Sequence, residues 1–156
     1  MEPTVALDHE AGTLDVTGPD LPPVRLVRGS GTEASPHIPI GTRDAALLTL
    51  TVDGTPARIA PARGRLSRRS YRVDVTLDDG TAYRLVPCSY GESRLLRDGH
   101  RLGLLDSSGD GVVGAEWHEE VTPLDVAVGT TLAAAFGTGA QPWWQTALEF
   151  IGDLTP

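Results

Sequence analysis

The chain has 156 residues, enough for one domain whose core needs no disulfide or metal staple. Its formal charge of −8 tells against a nucleic-acid binder, which carries a basic footprint. A single cysteine, Cys88, leaves no partner for an intramolecular disulfide and no multi-cysteine metal site.

Every basic residue other than histidine is arginine, and lysine and asparagine are absent. Such a skew is what a high-GC genome, for example an actinobacterial one, produces. The first residues, Met1 to Val5, show neither a basic nor an apolar signal region. The longest apolar stretch is well short of the roughly 20 residues that span a bilayer. The expectation is a soluble, cytoplasmic single domain over 1–156.

Eighteen glycines and twelve prolines punctuate the chain at short intervals, which favours many short strands. Strand signals run from about 4 to 120. Residues 4–9 and 12–18 read as a hairpin with Leu14 and Val16 inward. Pro22-Pro23 then opens a run with Val24 and Leu26 inward. Residues 29–44 carry no period and read as a long loop. Leu48, Leu50 and Val52 alternate with threonines, meet Asp53-Gly54, and return along 57–61; an Asp-Gly pair suits a tight hairpin. Tyr71, Val73, Val75 and Leu77 alternate in the same way before Asp78-Asp79-Gly80 and the return through Tyr83 and Leu85. Cys88 ends this run and reads as a buried, inert thiol. A further pair, 94–97 and 100–105, is joined at Asp98-Gly99, and 106–111 turns the chain into Val113, Ala115 and Trp117. The total is about ten strands joined by short turns, hence largely antiparallel.

The texture then changes. Thr122 is a good N-cap, Pro123 suits the first helical position, Asp125 sits where the helix dipole favours an anion, and Gly137 is a natural stop. The segment 123–136 is apolar all round, so the helix must be buried on every side. A second, amphipathic helix is expected over 143–154, with Trp143, Trp144, Ala147, Leu148, Ile151 and Leu154 on one face. The resulting expectation is a β-rich (α+β) fold in which a barrel or strongly curved sheet surrounds the apolar helix. A two-layer α+β sandwich is the alternative.

The order of these elements, carried by Tyr71–Leu85, Leu95–Trp117 and Pro123–Phe136, resembles the tubby C-terminal, phospholipid scramblase and LURP-one-related superfamily. That resemblance implies a closed strand barrel threaded by a hydrophobic C-terminal helix, and a lipid or other amphiphile as ligand.

Candidate chemistry is sparse. Arg58, Arg63, Arg65, Arg68, Arg69 and Arg72 form the one basic cluster. Guanidinium forks bind phosphates bidentately, so Arg63, Arg65, Arg68, Arg69 and Arg72 are the candidate anion site, for an anionic lipid or a phosphorylated ligand. The competing reading is a solvated hairpin loop balanced by acids elsewhere. Asp106-Ser-Ser-Gly-Asp110-Gly111 imitates half of a calcium loop but has Trp117 where the closing glutamate belongs, and reads as a turn. Glu116, His118, Glu119 and Glu120 gather around Trp117, with Glu116 and His118 expected on one strand face; a solvated strand end is the simpler reading. Trp143 and Trp144 either mark a partner surface or pin the second helix. Nucleophile elbows, phosphate loops and dinucleotide fingerprints are missing, and no cofactor or metal is indicated. The expected function is a small non-enzymatic binding or interaction module. The alternatives are a structural or protein-interaction domain using the C-terminal helix, and an enzyme working in a barrel cavity.

Overall fold

The computed structural model describes residues 2–31, 33–62, 71–89 and 91–138. Ten strands form one antiparallel meander: β1 (Thr4–Asp8), β2 (Thr13–Thr17), β3 (Val24–Arg28), β4 (Leu48–Val52), β5 (Thr55–Pro61), β6 (Val73–Thr76), β7 (Ala82–Ser89), β8 (Glu92–Arg97), β9 (His100–Ser107) and β10 (Val113–Trp117). Each strand pairs with the next in sequence. A helix, α1 (Pro123–Phe136), follows. The expected second helix at 143–154 lies outside the described residues.

The strands form where alternation demands it. Leu14, Val16, Val24, Leu26 and Leu50 are at most 2% exposed, while Asp15, Arg25 and Thr51 stand on the outer face. Tyr71, Val73, Val75 and Leu77 are likewise all buried, although Tyr71 precedes the first paired residue of β6. β5 bends the sheet. Its first half, Thr55–Ala57, pairs with β4, and its second half, Arg58–Pro61, pairs with β6. A strand that changes partner part-way along makes a corner.

The helix ends follow local chemistry. Thr122 Oγ1 accepts from the Asp125 N–H at 3.2 Å, and the Asp125 carboxylate accepts from the Thr122 N–H at 2.9 Å. The two bonds form a reciprocal capping box, and Gly137 closes the other end at φ 77°. Every residue from Asp125 to Phe136 is buried. Gly129 lets the sheet come close: a Cβ there would sit 2.6 Å from Leu95 Cδ2 and 3.1 Å from the Trp117 ring.

α1 packs against β1, β2 and β3 and also against β7 to β10. Ten strands spaced about 4.8 Å apart would stretch over 40 Å if flat. Both ends of the ladder touch one helix about 10 Å across, so the sheet is curled around it. The barrel expectation nevertheless needs correction. The ladder ends at β1 and β10, which do not pair, so the sheet is curved but not closed. The remaining walls are irregular chain. The turn before β10 lies beside β1: a Cβ added at Gly111 would meet Val5 and Leu7 at 3.8 Å. Ile40, from the long loop, is fully buried, and its N–H donates to Ala135 O at 3.0 Å, satisfying one of the last helical carbonyls. That loop is otherwise irregular, apart from a single 3₁₀ turn at Ala45–Leu47. Cys88 departs from expectation as well: it is half-buried at the end of β7, with Sγ 3.8 Å from Glu92 O. No helix among the described residues is long and apolar enough to cross a membrane.

Candidate functional site

The arginine cluster falls on the connection between β5 and β6. Arg63, Arg65, Arg68 and Arg69 lie outside the described residues; Arg72, beside β6, is described. The sequence around them is electrostatically one-sided. From Gly54 to Val73 there are six arginines and no acid, in a chain whose net charge is −8. Arg58 stands exposed on β5 opposite Thr76. Asp74 is the first acid beyond the stretch, and it faces two cations. Arg84 holds it with Nε at 2.6 Å and Nη2 at 3.2 Å, and Arg72 Nε lies 3.6 Å away. Arg72 is thus the more loosely held of the two and remains 44% exposed. A loose, exposed pair of this kind stabilises little and leaves the guanidinium available to another anion.

The base of the connection carries a residue that no sequence pattern singled out. Arg43, just before the 3₁₀ turn, reaches across to both stems. Its Nε donates to Ala62 O and its Nη2 to Tyr71 O, each at 2.8 Å, with Arg72 O at 3.4 Å. The guanidinium also lies over two rings, 5.5 Å from Tyr71 and 5.3 Å from Phe136. Burial pulls it down from its ordinary value to about 10, against the opposing pull of the Tyr71 phenol. Nη1 is buried with no hydrogen-bond partner among the described residues. Arg43 therefore fixes where the connection leaves β5 and where it enters β6.

The mouth at the start of α1 is organised differently. The Asp125 carboxylate, fully buried, accepts from Tyr83 Oη at 2.6 Å and from Arg97 Nη1. Burial alone would raise its pKa, but the bonds from Tyr83, Thr122 and Arg97 outweigh that and hold it below the usual carboxylate range. Burial and the Asp125 bond push the Tyr83 phenol up, so it stays a neutral donor.

The polar group around Trp117 is split. β10 ends at Trp117, and Glu116 lines a cleft with Glu92 and Asp106, whereas His118, Glu119 and Glu120 line another with Arg97, His100 and Arg101. Glu116 and His118 are both exposed on either side of the half-buried Trp117, as expected of a solvated strand end, but they line different clefts. In the calcium-like segment, the Asp110 carboxylate accepts from Ser108 Oγ at 2.6 Å and from the Val112 N–H at 3.1 Å, the bonding of a turn. Comparison of the chain with protein-family models, with curated proteins and with solved structures finds no match in any of the three.

Proposed function

We propose that this domain is a non-enzymatic binding module that takes an anionic group through Arg63, Arg65, Arg68, Arg69 and Arg72. The observation that carries the reading is the Arg43 clamp, which anchors both stems of an acid-free, arginine-rich connection. Anchored stems reduce the ordering cost that a ligand must offset when it gathers several guanidinium groups. The burial of α1 from Asp125 to Phe136 supports an outer rather than an interior site, and so weighs against catalysis in a barrel cavity. The resemblance to the tubby and scramblase superfamily points the same way, toward an anionic lipid headgroup. A soluble phosphorylated ligand offers the same chemistry.

Co-sedimentation with vesicles tests the proposal. Binding should need phosphatidylserine in a phosphatidylcholine vesicle, weaken as salt rises, and fall at least about tenfold in Arg68→Ala/Arg69→Ala. Competition by inorganic phosphate would assign the site to soluble phosphoryl ligands as well. Equal binding by the double variant and the parent would refute the assignment.

A further inference from the structure

A second site stands at the opposite mouth. Beside the start of α1 lies a surface cleft of about 560 Å³. One bank is the tip of the β8–β9 hairpin, with Arg97, His100 and Arg101; the other is the segment after β10, with His118, Glu119 and Glu120. The His118 N–H donates to Leu102 O at 2.8 Å, so backbone bonding holds the banks together. Leu102, only 3% exposed, contributes an apolar floor.

The banks carry opposite charge, yet they do not neutralise each other. The four ion pairs among the described residues leave Arg101, Glu119 and Glu120 unpaired. Arg97 commits Nη1 to the buried Asp125 while its side chain, 29% exposed, still lines the cleft. A guanidinium has five N–H donors in a fixed fork, so one bond to Asp125 leaves donors for a second carboxylate. An anion alone would meet Glu119 and Glu120, and a cation alone would meet Arg97 and Arg101. A ligand that carries both charges meets a complementary group on each bank, and like-charge contact excludes the others.

We infer that this cleft binds a small zwitterion of the amino-acid class, with its carboxylate on Arg97 and Arg101 and its ammonium on Glu119 and Glu120. The volume falls in the range of small-molecule sites, about 300–1,000 Å³. The imidazoles of His100 and His118 line the same cleft and offer further hydrogen-bonding groups. Neither the arginine connection nor Arg43 takes part, so this site stands or falls by itself.

Amide chemical-shift titration of the full chain decides the matter, with glycine, glycylglycine and γ-aminobutyrate as zwitterions that differ in charge separation. At least one should give saturable shifts at Arg101, His118, Glu119 and Glu120, while acetate and methylammonium should bind at least about tenfold more weakly. Arg101→Gln and Glu119→Gln/Glu120→Gln should each weaken the zwitterion about tenfold or more, with resonances elsewhere unmoved. Arg68→Ala/Arg69→Ala should leave the titration unchanged, which separates this site from the anion site. Absence of saturable shifts with all three zwitterions, or equal binding of acetate, would overturn the inference.

Discussion

Replacing Asp125 by alanine removes the acceptor on which three separate donors converge. Its carboxylate, 0% exposed, takes hydrogen bonds from Tyr83 Oη, Arg97 Nη1 and the Thr122 N–H. Loss of its half of the capping box costs about 1 kcal/mol. Tyr83 is only 1% exposed, so its hydroxyl would be orphaned, at about 1–3 kcal/mol. Arg97 keeps access to water, and that arm adds no more than about 1 kcal/mol. The expected loss is about 3 kcal/mol by urea unfolding at neutral pH, with an unchanged m-value. A double-mutant cycle gives the sharper result: Tyr83→Phe should destabilise the parent but be neutral or stabilising beside Asp125→Ala, where the hydroxyl has no acceptor. Acid supplies a third readout. A depressed folded pKa contributes stability that is present above the unfolded value of about 3.9 and is lost as pH falls through the folded value. The Asp125→Ala variant should therefore show a flatter acid limb below about pH 4. A cost under about 1 kcal/mol, or equal Tyr83→Phe effects in both backgrounds, would refute the convergence of these bonds.

Two further substitutions probe the packing. Gly129→Ala gains about 1 kcal/mol of helix propensity, but its Cβ would press on Leu95 Cδ2 at 2.6 Å, and overpacking of that kind costs about 1–3 kcal/mol. Its urea midpoint should fall despite the better helix former; a rise would mean that α1 sits farther from β8 than described. Arg43→Lys cannot span Ala62 O and Tyr71 O with one fork. It should lose about 2 kcal/mol in urea unfolding and weaken vesicle binding although all arginines of 63–72 remain. Unchanged binding would deny Arg43 its positioning role.

What could be read from the sequence was what neighbouring residues decide. Thr122, Asp125 and Gly137 define α1 within one turn of chain at each end, and the ten strands follow from alternation and Asp-Gly or Gly turns. What could not be read depends on partners distant in sequence. Asp125 joins Tyr83 and Arg97, 42 and 28 positions away, and Arg43 reaches Ala62 and Tyr71, 19 and 28 away. Both Arg43 and Ile40 sit in a stretch without any period, where patterning has nothing to report. Arg28 is a like case: only 7% exposed, it has its guanidinium bonded to the carbonyls of His9, Glu10 and Ile40. That α1 needs walls all round asks for a barrel or a strongly curved sheet, but it does not say which chain provides them. Ile40 and the turn at Gly111 cover what strand pairing leaves open.

The same helix explains why two candidate sites are found at opposite mouths. Its apolar body fills the curl of the sheet, so polar chemistry is left to the ends and the outer face. At its N-terminus, Asp125 complements the helix dipole and ties α1 to Arg97, one bank of the charged cleft. At its C-terminus, the Phe136 ring packs against Arg43, the clamp beneath the arginine connection. Each site thus borrows its rigidity from one end of α1. Between those ends lie buried small residues such as Gly129, Ala133, Ala134 and Ala135, with no titratable group to rearrange. Close packing of that kind resists rearrangement, and coupling between sites requires a second arrangement for a ligand to select. The two mouths should therefore bind independently, each held in shape by α1 and neither informed by the other.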